Sequence, residues 1–547
     1  GFSHHFQRLG MTQAPPVPGR RRLVLGGIAA GVAAAAGYFG LRHRPGHGDM
    51  PAHVSRFVNP LRIPGKSTRL GEASDAADAG IVLQTGIHPQ PLREGALSDV
   101  WAYAQRTASG QVQLNPTLFA RSGGRLKVTL DNRLGDDTTI HWHGMTVDEA
   151  NDGSGLHPVR HGERRVYEFD VRNRAGLYWY HAHPHGQTGM QVHRGLAGLV
   201  VVEDDEELAL QEALGLTWGV DDIALSIADK QFGLRNKIVH EVGADDWVGD
   251  KVLVNWTPDP VFEARRGWLR LRLANTSNAR LYCIGFDDEH RQRLPFHLLG
   301  TDGGLLDRAH RMESVFLGPG QRVDVLLDLR EHSPGDQLMM RSVAYDPMEN
   351  DVGIGPPEDF AMEHPGAMPM GEDMALMLIR MGDKPGGASG ALPERLSTHA
   401  VGLREDATRR PFRLWIQDSG RWMINHWNHH LAHGQDVLEI KRGSIERWDI
   451  TNDMRSMPHP MHLHGFQFVV TGRANSPKQV VERAIDPRGR TPHDLGVLDT
   501  VLIWPGETVS IQIDFSQPYT GRQRYMFHCH NLEHEDQGMM IGFAVID

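Results

Sequence analysis

Gly443-SIERWDIT-Asn452 is a glycine followed by an alternating, strand-like run that ends on asparagine. The same frame occurs twice earlier, as Gly124-RLKVTLD-Asn132 and Gly267-WLRLRLA-Asn275. A second element trails each copy by 30 to 54 residues: Gly162-ERRVYEF, Gly320-QRVDVLLDL and Gly506-ETVSIQIDF. Both elements are period-2 strands entered from a glycine turn, and the same order three times points to internal repetition. The sequence therefore predicts an all-β chain of three homologous β-sandwiches, roughly 75–207, 215–385 and 400–547, with few helices.

Composition agrees and narrows the function. The 547 residues carry 57 basic and 68 acidic side chains, a net charge of −11, which argues against a nucleic-acid surface. At 40% hydrophobic and 23% charged, the chain has the balance of a globular protein. Two cysteines, Cys283 and Cys529, exclude a disulfide scaffold. Residues 1–45 read as a twin-arginine-type signal region: Arg20-Arg21-Arg22 opens an apolar Ala/Gly-rich run ending near Leu41. Residues 46–74 then read as a linker. Export through the twin-arginine pathway to the periplasm, with the signal cleaved and no membrane span retained, is the expectation.

The three copies differ between their two repeated strands. The first carries His141-Trp142-His143-Gly144 and the third His459-Pro460-Met461-His462-Leu463-His464-Gly465, whereas the second has only Pro295-Phe296-His297-Leu298. The middle copy reads as a metal-free spacer, with Cys283 as a small buried hydrophobe. Five His-x-His pairs occur among 32 histidines, where about two are expected by chance. Residues two apart on a strand share a face, so each pair presents two imidazoles side by side.

The run His528-Cys529-His530-Asn531-Leu532-Glu533-His534 with Met539 is the most specific. Cys529, His534 and Met539, joined by His459, make the two-histidine, one-cysteine, one-methionine set of a blue-copper centre. Alternation sends Cys529 to one side and His528 and His530 to the other. His530-x-x-Glu533-His534 is also formally an inverted zinc-peptidase motif. That chemistry needs both histidines on one helix, whereas strands are expected on both sides of this run.

In this order, over about 430 residues, the HWHG, HAH, HPxHLHG and HCHxxxHxxxxM elements resemble those of the multicopper oxidases, especially bacterial three-domain cuprous oxidases and laccases. The resemblance implies three cupredoxin-like Greek-key domains and four copper ions. His459, Cys529, His534 and Met539 would hold the type 1 ion, and His141 and His462 the type 2 ion. His143, His181, His183, His464, His528 and His530 would hold the type 3 pair. The activity implied is copper-dependent oxidation at the type 1 site, with electrons passing through Cys529 to reduce dioxygen to water. Asp152 and Glu535 match acidic residues implicated in supplying protons. The resemblance leaves His185 and His193 outside the ligand set, and His426 to His433 reads as a surface turn.

Nine of the 21 methionines fall between Met339 and Met381. Soft thioethers select Cu(I), so Met362, Met368 and Met370, in a Met-rich loop over 345–378, are candidates for handling Cu(I) as substrate. Cuprous oxidases commonly carry an acidic residue just before the first type 1 histidine; here Arg455 follows Asp453, and Met457 is the nearest soft side chain. Two alternatives stay open: a laccase-like oxidase of small phenolic and aromatic reductants without a copper-tolerance role, and a copper-free structural or division-associated relative. A monomer is expected.

Overall fold

The computed structural model describes residues 56–63, 80–351 and 367–547. The signal expected over 1–45, most of the 46–74 linker, and Met362 lie outside the described residues. Each third of the chain forms two sheets around its own apolar core. In the first, a five-stranded sheet centred on Ile81–Gln90 faces a four-stranded one running Leu118–Arg121, Ala197–Glu203, Gly176–His181, His141–His143. The second sandwich has two seven-stranded sheets. In the third, a six-stranded sheet faces Asp436–Lys441, Met540–Ile546, Gln523–Cys529, His459–Leu463 and Thr500–Ile503.

The glycine–asparagine frame has one structural cause, used three times. The two repeated strands of each copy pair antiparallel: Arg125–Asp131 with Arg164–Asp170, Trp268–Asn275 with Arg322–Asp328, and Ile445–Asn452 with Thr508–Asp514. The glycine opening the second strand has positive φ, +81°, +87° and +75° for Gly162, Gly320 and Gly506, a region that favours glycine. Its N–H donates to the carbonyl of Asn132, Asn275 or Asn452 at 2.7, 2.9 and 3.0 Å. The asparagine side chain in turn donates to the carbonyls of Asp136 and Val159, of Arg280 and Leu317, and of Met457 and Ile503. That side chain satisfies backbone acceptors where the ladder ends, which glutamine or serine could not span in the same way.

Two stretches differ from expectation. Asn59–Pro60, inside the expected linker, pairs parallel with Pro260–Val261 and adds an edge strand to the second sandwich. Met374–Met381 is a strand paired with Gln337–Ser342, so the Met-rich loop ends before residue 374. Met339, Met340, Met377 and Met381 are core residues there. Cys283 is fully buried in the strand Tyr282–Asp288, as expected. Helices are few and short, and no described helix is long and apolar enough to cross a membrane.

Candidate metal centre

His141 faces His181 across the pair formed by His141–His143 and Gly176–His181. In the third sandwich His462 lies opposite His528, and Met461 opposite Cys529. These strand faces meet between the first and third sandwiches. His141 Nε2 is 3.3 Å from His462 Nε2, His183 Nε2 is 3.3 Å from His528 Nε2, and His464 Nε2 is 2.9 Å from His528 Nε2. His143 stacks on His462 and His141 on His464, with ring centres 3.7 and 3.8 Å apart. The ring of His530 stands 4.9 Å from that of His143. All eight imidazoles are buried.

Strand alternation carries Cys529 to the other side. Its Sγ lies 3.4 Å from His459 Nδ1 and 3.7 Å from His534 Nδ1. Met539 is fully buried in the same core, and its carbonyl accepts the Cys529 N–H at 3.1 Å. His534 rides on a short helix, Leu532–Asp536, N-capped by Asn531. His530 precedes that helix, so the zinc-peptidase arrangement is not formed.

Hydrogen bonding shows whether a metal fits. Nδ1 of His141, His181, His462 and His528 donates to the carbonyls of Asp152, Ala182, Asp499 and Cys529 at 2.7, 2.9, 2.8 and 2.8 Å. Each Nε2 is therefore left with a lone pair. Lone pairs facing one another across about 3 Å repel unless a cation lies between them. Neither ring nitrogen of His530 has a hydrogen-bond partner among the described residues. Burial, followed by neighbouring imidazoles, pushes His141 and His528 well below the usual histidine range, and burial pushes His183 to about 3. The rings are thus neutral, as ligation requires. Burial also raises the Cys529 thiol, so a thiolate there needs a cation beside it. Groups such as His141/His462/His464, His183/His464/His528 and His459/Cys529/His534 have donor atoms close enough to share an ion. Imidazole with thiolate is the donor chemistry of copper, and the residues fit it.

Both acids singled out in the sequence touch the cluster. Asp152 Oδ2 accepts from His464 Nδ1 at 2.8 Å. Glu535 Oε1 lies 3.1 Å from His183 Nε2 and accepts from Thr188 Oγ1 at 2.9 Å. Burial, then Glu149 beside Asp152 and Asp536 beside Glu535, raises both carboxyls well above the usual range. Of the remaining histidines, His193 is buried and accepts from Gln231 N–H and Trp247 Nε1–H, both at 3.1 Å, a structural role. The described Met368 and Met370 lie beside the second and third sandwiches: Met368 N–H donates to Gly249 O at 3.0 Å, and Met370 packs with Val248 and Trp504.

The sequence missed what the middle sandwich contributes. None of the metal-competent groups among the described residues includes one of its side chains, yet it is more than a spacer. Arg322 Nη1 and Nη2 grip Asp499 at 2.8 and 2.5 Å, and Asp499 Oδ1 holds His143 Nε2 at 2.9 Å. A Cβ on Gly320 would lie 3.0 Å from His530 Cγ and 3.1 Å from His143 Cε1. Asp246 Oδ1 stands 3.4 Å from His534 Nε2 and accepts from Asn531. Glu533 is held by His240, Trp247 N–H and Asn278.

Comparison with known proteins gives the family. Residues 100–207 and 406–547 each match a family model described as multicopper oxidase. The chain is 27% identical over 430 residues to the multicopper oxidase Mco of Staphylococcus aureus, covering 78% of this chain and 81% of that one. It is also 27% identical over 433 residues to the cell division protein FtsP of Xenorhabdus nematophila, covering 78% and 82%. The crystal structure of the multicopper oxidase McoA from Aquifex aeolicus superposes with a TM-score of 0.77 at 31% identity, over 89% of this chain and 99% of that one. The three sandwiches are therefore cupredoxin-like, and the chain belongs to the multicopper oxidases, copper-dependent oxidoreductases that use dioxygen and a reductant.

Proposed function

We propose that this is an exported, monomeric four-copper oxidase that takes single electrons from Cu(I) and reduces dioxygen to water, in the service of copper tolerance. The observation that carries the reading is the strand end 528–530, whose adjacent side chains enter two separate buried donor sets. His459, Cys529, His534 and Met539 would hold the type 1 ion, His141 and His462 the type 2 ion. His143, His181, His183, His464, His528 and His530 would hold the type 3 pair. Bound copper supplies one-electron exchange at the first site and four-electron reduction of dioxygen at the other three. The chain supplies orientation and a covalent route between sites. Ser456 Oγ lies 2.7 Å from His459 Nε2, and Asp246 flanks the far nitrogen of His534. Asp152 and Glu535, touching His464 and His183, are the groups positioned to hand over the protons that water formation consumes.

Cu(I) is favoured over phenols by what surrounds His534. Asp453, nearest before His459, is engaged by Arg413, so the carboxylate common in cuprous oxidases is missing there. Asp246 supplies one from the second sandwich instead, three residues before the backbone that anchors Met368. Met348 packs on the third core, and Met362 belongs to the same stretch of chain. The twin-arginine pair and apolar run support export.

Dioxygen uptake by the copper-loaded protein, with Cu(I) or a dimethoxyphenol as reductant, tests this in the parent, in Asp246→Asn and in a chain shortened between 348 and 370. Faster uptake with Cu(I), falling about tenfold or more in both variants, is expected. Faster phenol turnover, unchanged by shortening, would replace it with a laccase reading. No uptake with either reductant at full copper loading would defeat the oxidase reading itself.

A further inference from the structure

Neither donor set uses the histidine-rich turn 426–433 or His185. The turn follows the strand Trp422–Ile424 and is pulled against the carboxy-terminal strand. His429 N–H donates to Gly538 O at 2.9 Å, and the Asn428 amide donates to the carbonyls of Trp422 and Gln537. This brings it to His185, which extends from the first sandwich. The ring of His185 is centred 5.0 Å from that of His429 and 5.4 Å from that of His430. Those separations match His462 to His464, at 5.0 Å, inside the main cluster. His185, His429 and His433 line a cavity of about 360 Å³ that also meets His183, Glu535 and Asp536.

Two details distinguish this group from a solvated turn. His430 Nε2 donates to the carbonyl of Asp536 at 2.8 Å, which leaves Nδ1 with its lone pair. That is the back-bonding seen at His141, His462 and His528, and it is how ligating imidazoles are oriented. His429 is only 5% exposed, and its Nδ1 has no hydrogen-bond partner among the described residues. Its Nε2 faces Gly434, which also lines the cavity. Burying an imidazole without a partner is costly, and burial followed by His185 and His430 lowers its pKa to about 4, so protons do not compete for it at neutral pH. His185, His430 and His433 are exposed. Their nitrogens do not yet share one coordination radius with that of His429, but exposed side chains change rotamer within nanoseconds.

We propose that His185, His429 and His430, with His433 at the rim, form an accessory site for a divalent transition-metal ion of imidazole preference, Cu(II), Zn(II) or Ni(II). The site uses none of the proposed donors of the two buried sets, and three of its histidines line the cavity that also meets His183 and Glu535. Its test is equilibrium dialysis of the copper-loaded protein against Zn(II), with metal analysis. The parent is expected to take up one Zn(II) per chain beyond its copper, with micromolar affinity. His429→Gln should lose it, and the doubly exposed variant His185→Gln/His430→Gln should bind at least about tenfold more weakly, copper content and blue absorption unchanged in both. Should His429→Gln fail to fold, the exposed pair carries the test alone. No Zn(II) beyond copper in the parent, or uptake weakened less than tenfold in the exposed pair, would overturn the site.

Discussion

Arg322 touches all three sandwiches, and replacing it with methionine should cost the copper-free chain about 4 kcal/mol. It is 1% exposed. Its Nε donates to Leu177 O in the first sandwich at 2.7 Å, and Nη1 and Nη2 reach Gly320 O and Asp302 O in the second and both oxygens of Asp499 in the third. Removing one member of a buried ion pair costs roughly 3–5 kcal/mol. Each backbone carbonyl left without a donor adds about 1 kcal/mol. About 3 kcal/mol returns because Asp302, whose carboxyl burial and the Asp499 charge already raise, can take up a proton. Urea unfolding of the copper-free protein at neutral pH, followed by tryptophan fluorescence, measures the loss, and domains released from one another should separate into more than one transition. Adding Asp499→Asn to Arg322→Met should recover about 2 kcal/mol through the coupling. A loss below about 1 kcal/mol, or strict additivity of the two substitutions, would refute the role assigned to this ion pair.

Cys529→Ser should abolish the intense thiolate-to-copper absorption and oxygen uptake while leaving the circular dichroism unchanged; a retained blue band would remove Cys529 from the type 1 set. Gly320→Ala must hold φ near +87°, at a cost of about 1 kcal/mol, and presses on His143 and His530. It should keep the blue band and lose oxygen uptake about tenfold, and normal uptake would show that those rings tolerate displacement. Burial pulls Lys230 down to about 7, below its unfolded value near 10.4. The unfolded chain then binds more protons between those limits, so this residue's contribution makes stability rise with pH from 7 towards 10. Lys230→Met should flatten that rise in urea midpoints taken across the range, and an unchanged slope would assign the rise to other groups.

The fold was legible because its defining contacts are local and repeated. The asparagine that ends one strand and the glycine that opens its partner are bonded to each other in every copy, so selection leaves the same letters three times. The donor histidines were legible for a similar reason: two-residue spacing on a strand is itself a geometric statement. Arg322, Asp499 and Asp246 carry no such spacing, and the repeat that marks Gly320 says nothing of the rings it meets. They act on residues roughly 150 to 350 positions away, and one arginine or aspartate is indistinguishable in sequence from its neighbours. Asn59–Pro60 was missed because a two-residue edge strand has too few positions to show a period.

The strand end at 528–530 also sets a clock on assembly. Five of the twelve proposed donors, His528, Cys529, His530, His534 and Met539, fall within the twelve residues 528–539. Between the making of His141 and of His528 lie 387 residues, about 20–80 s of synthesis at ordinary rates. Throughout that interval the first sandwich can fold around its four donor histidines, and His462 can complete the type 2 pair, but the type 1 and type 3 sets still lack ligands. A chain that stops before His528 can be well folded over most of its mass and still hold neither the type 1 ion nor the type 3 pair. A full complement of metal thereby reports that translation has passed Met539.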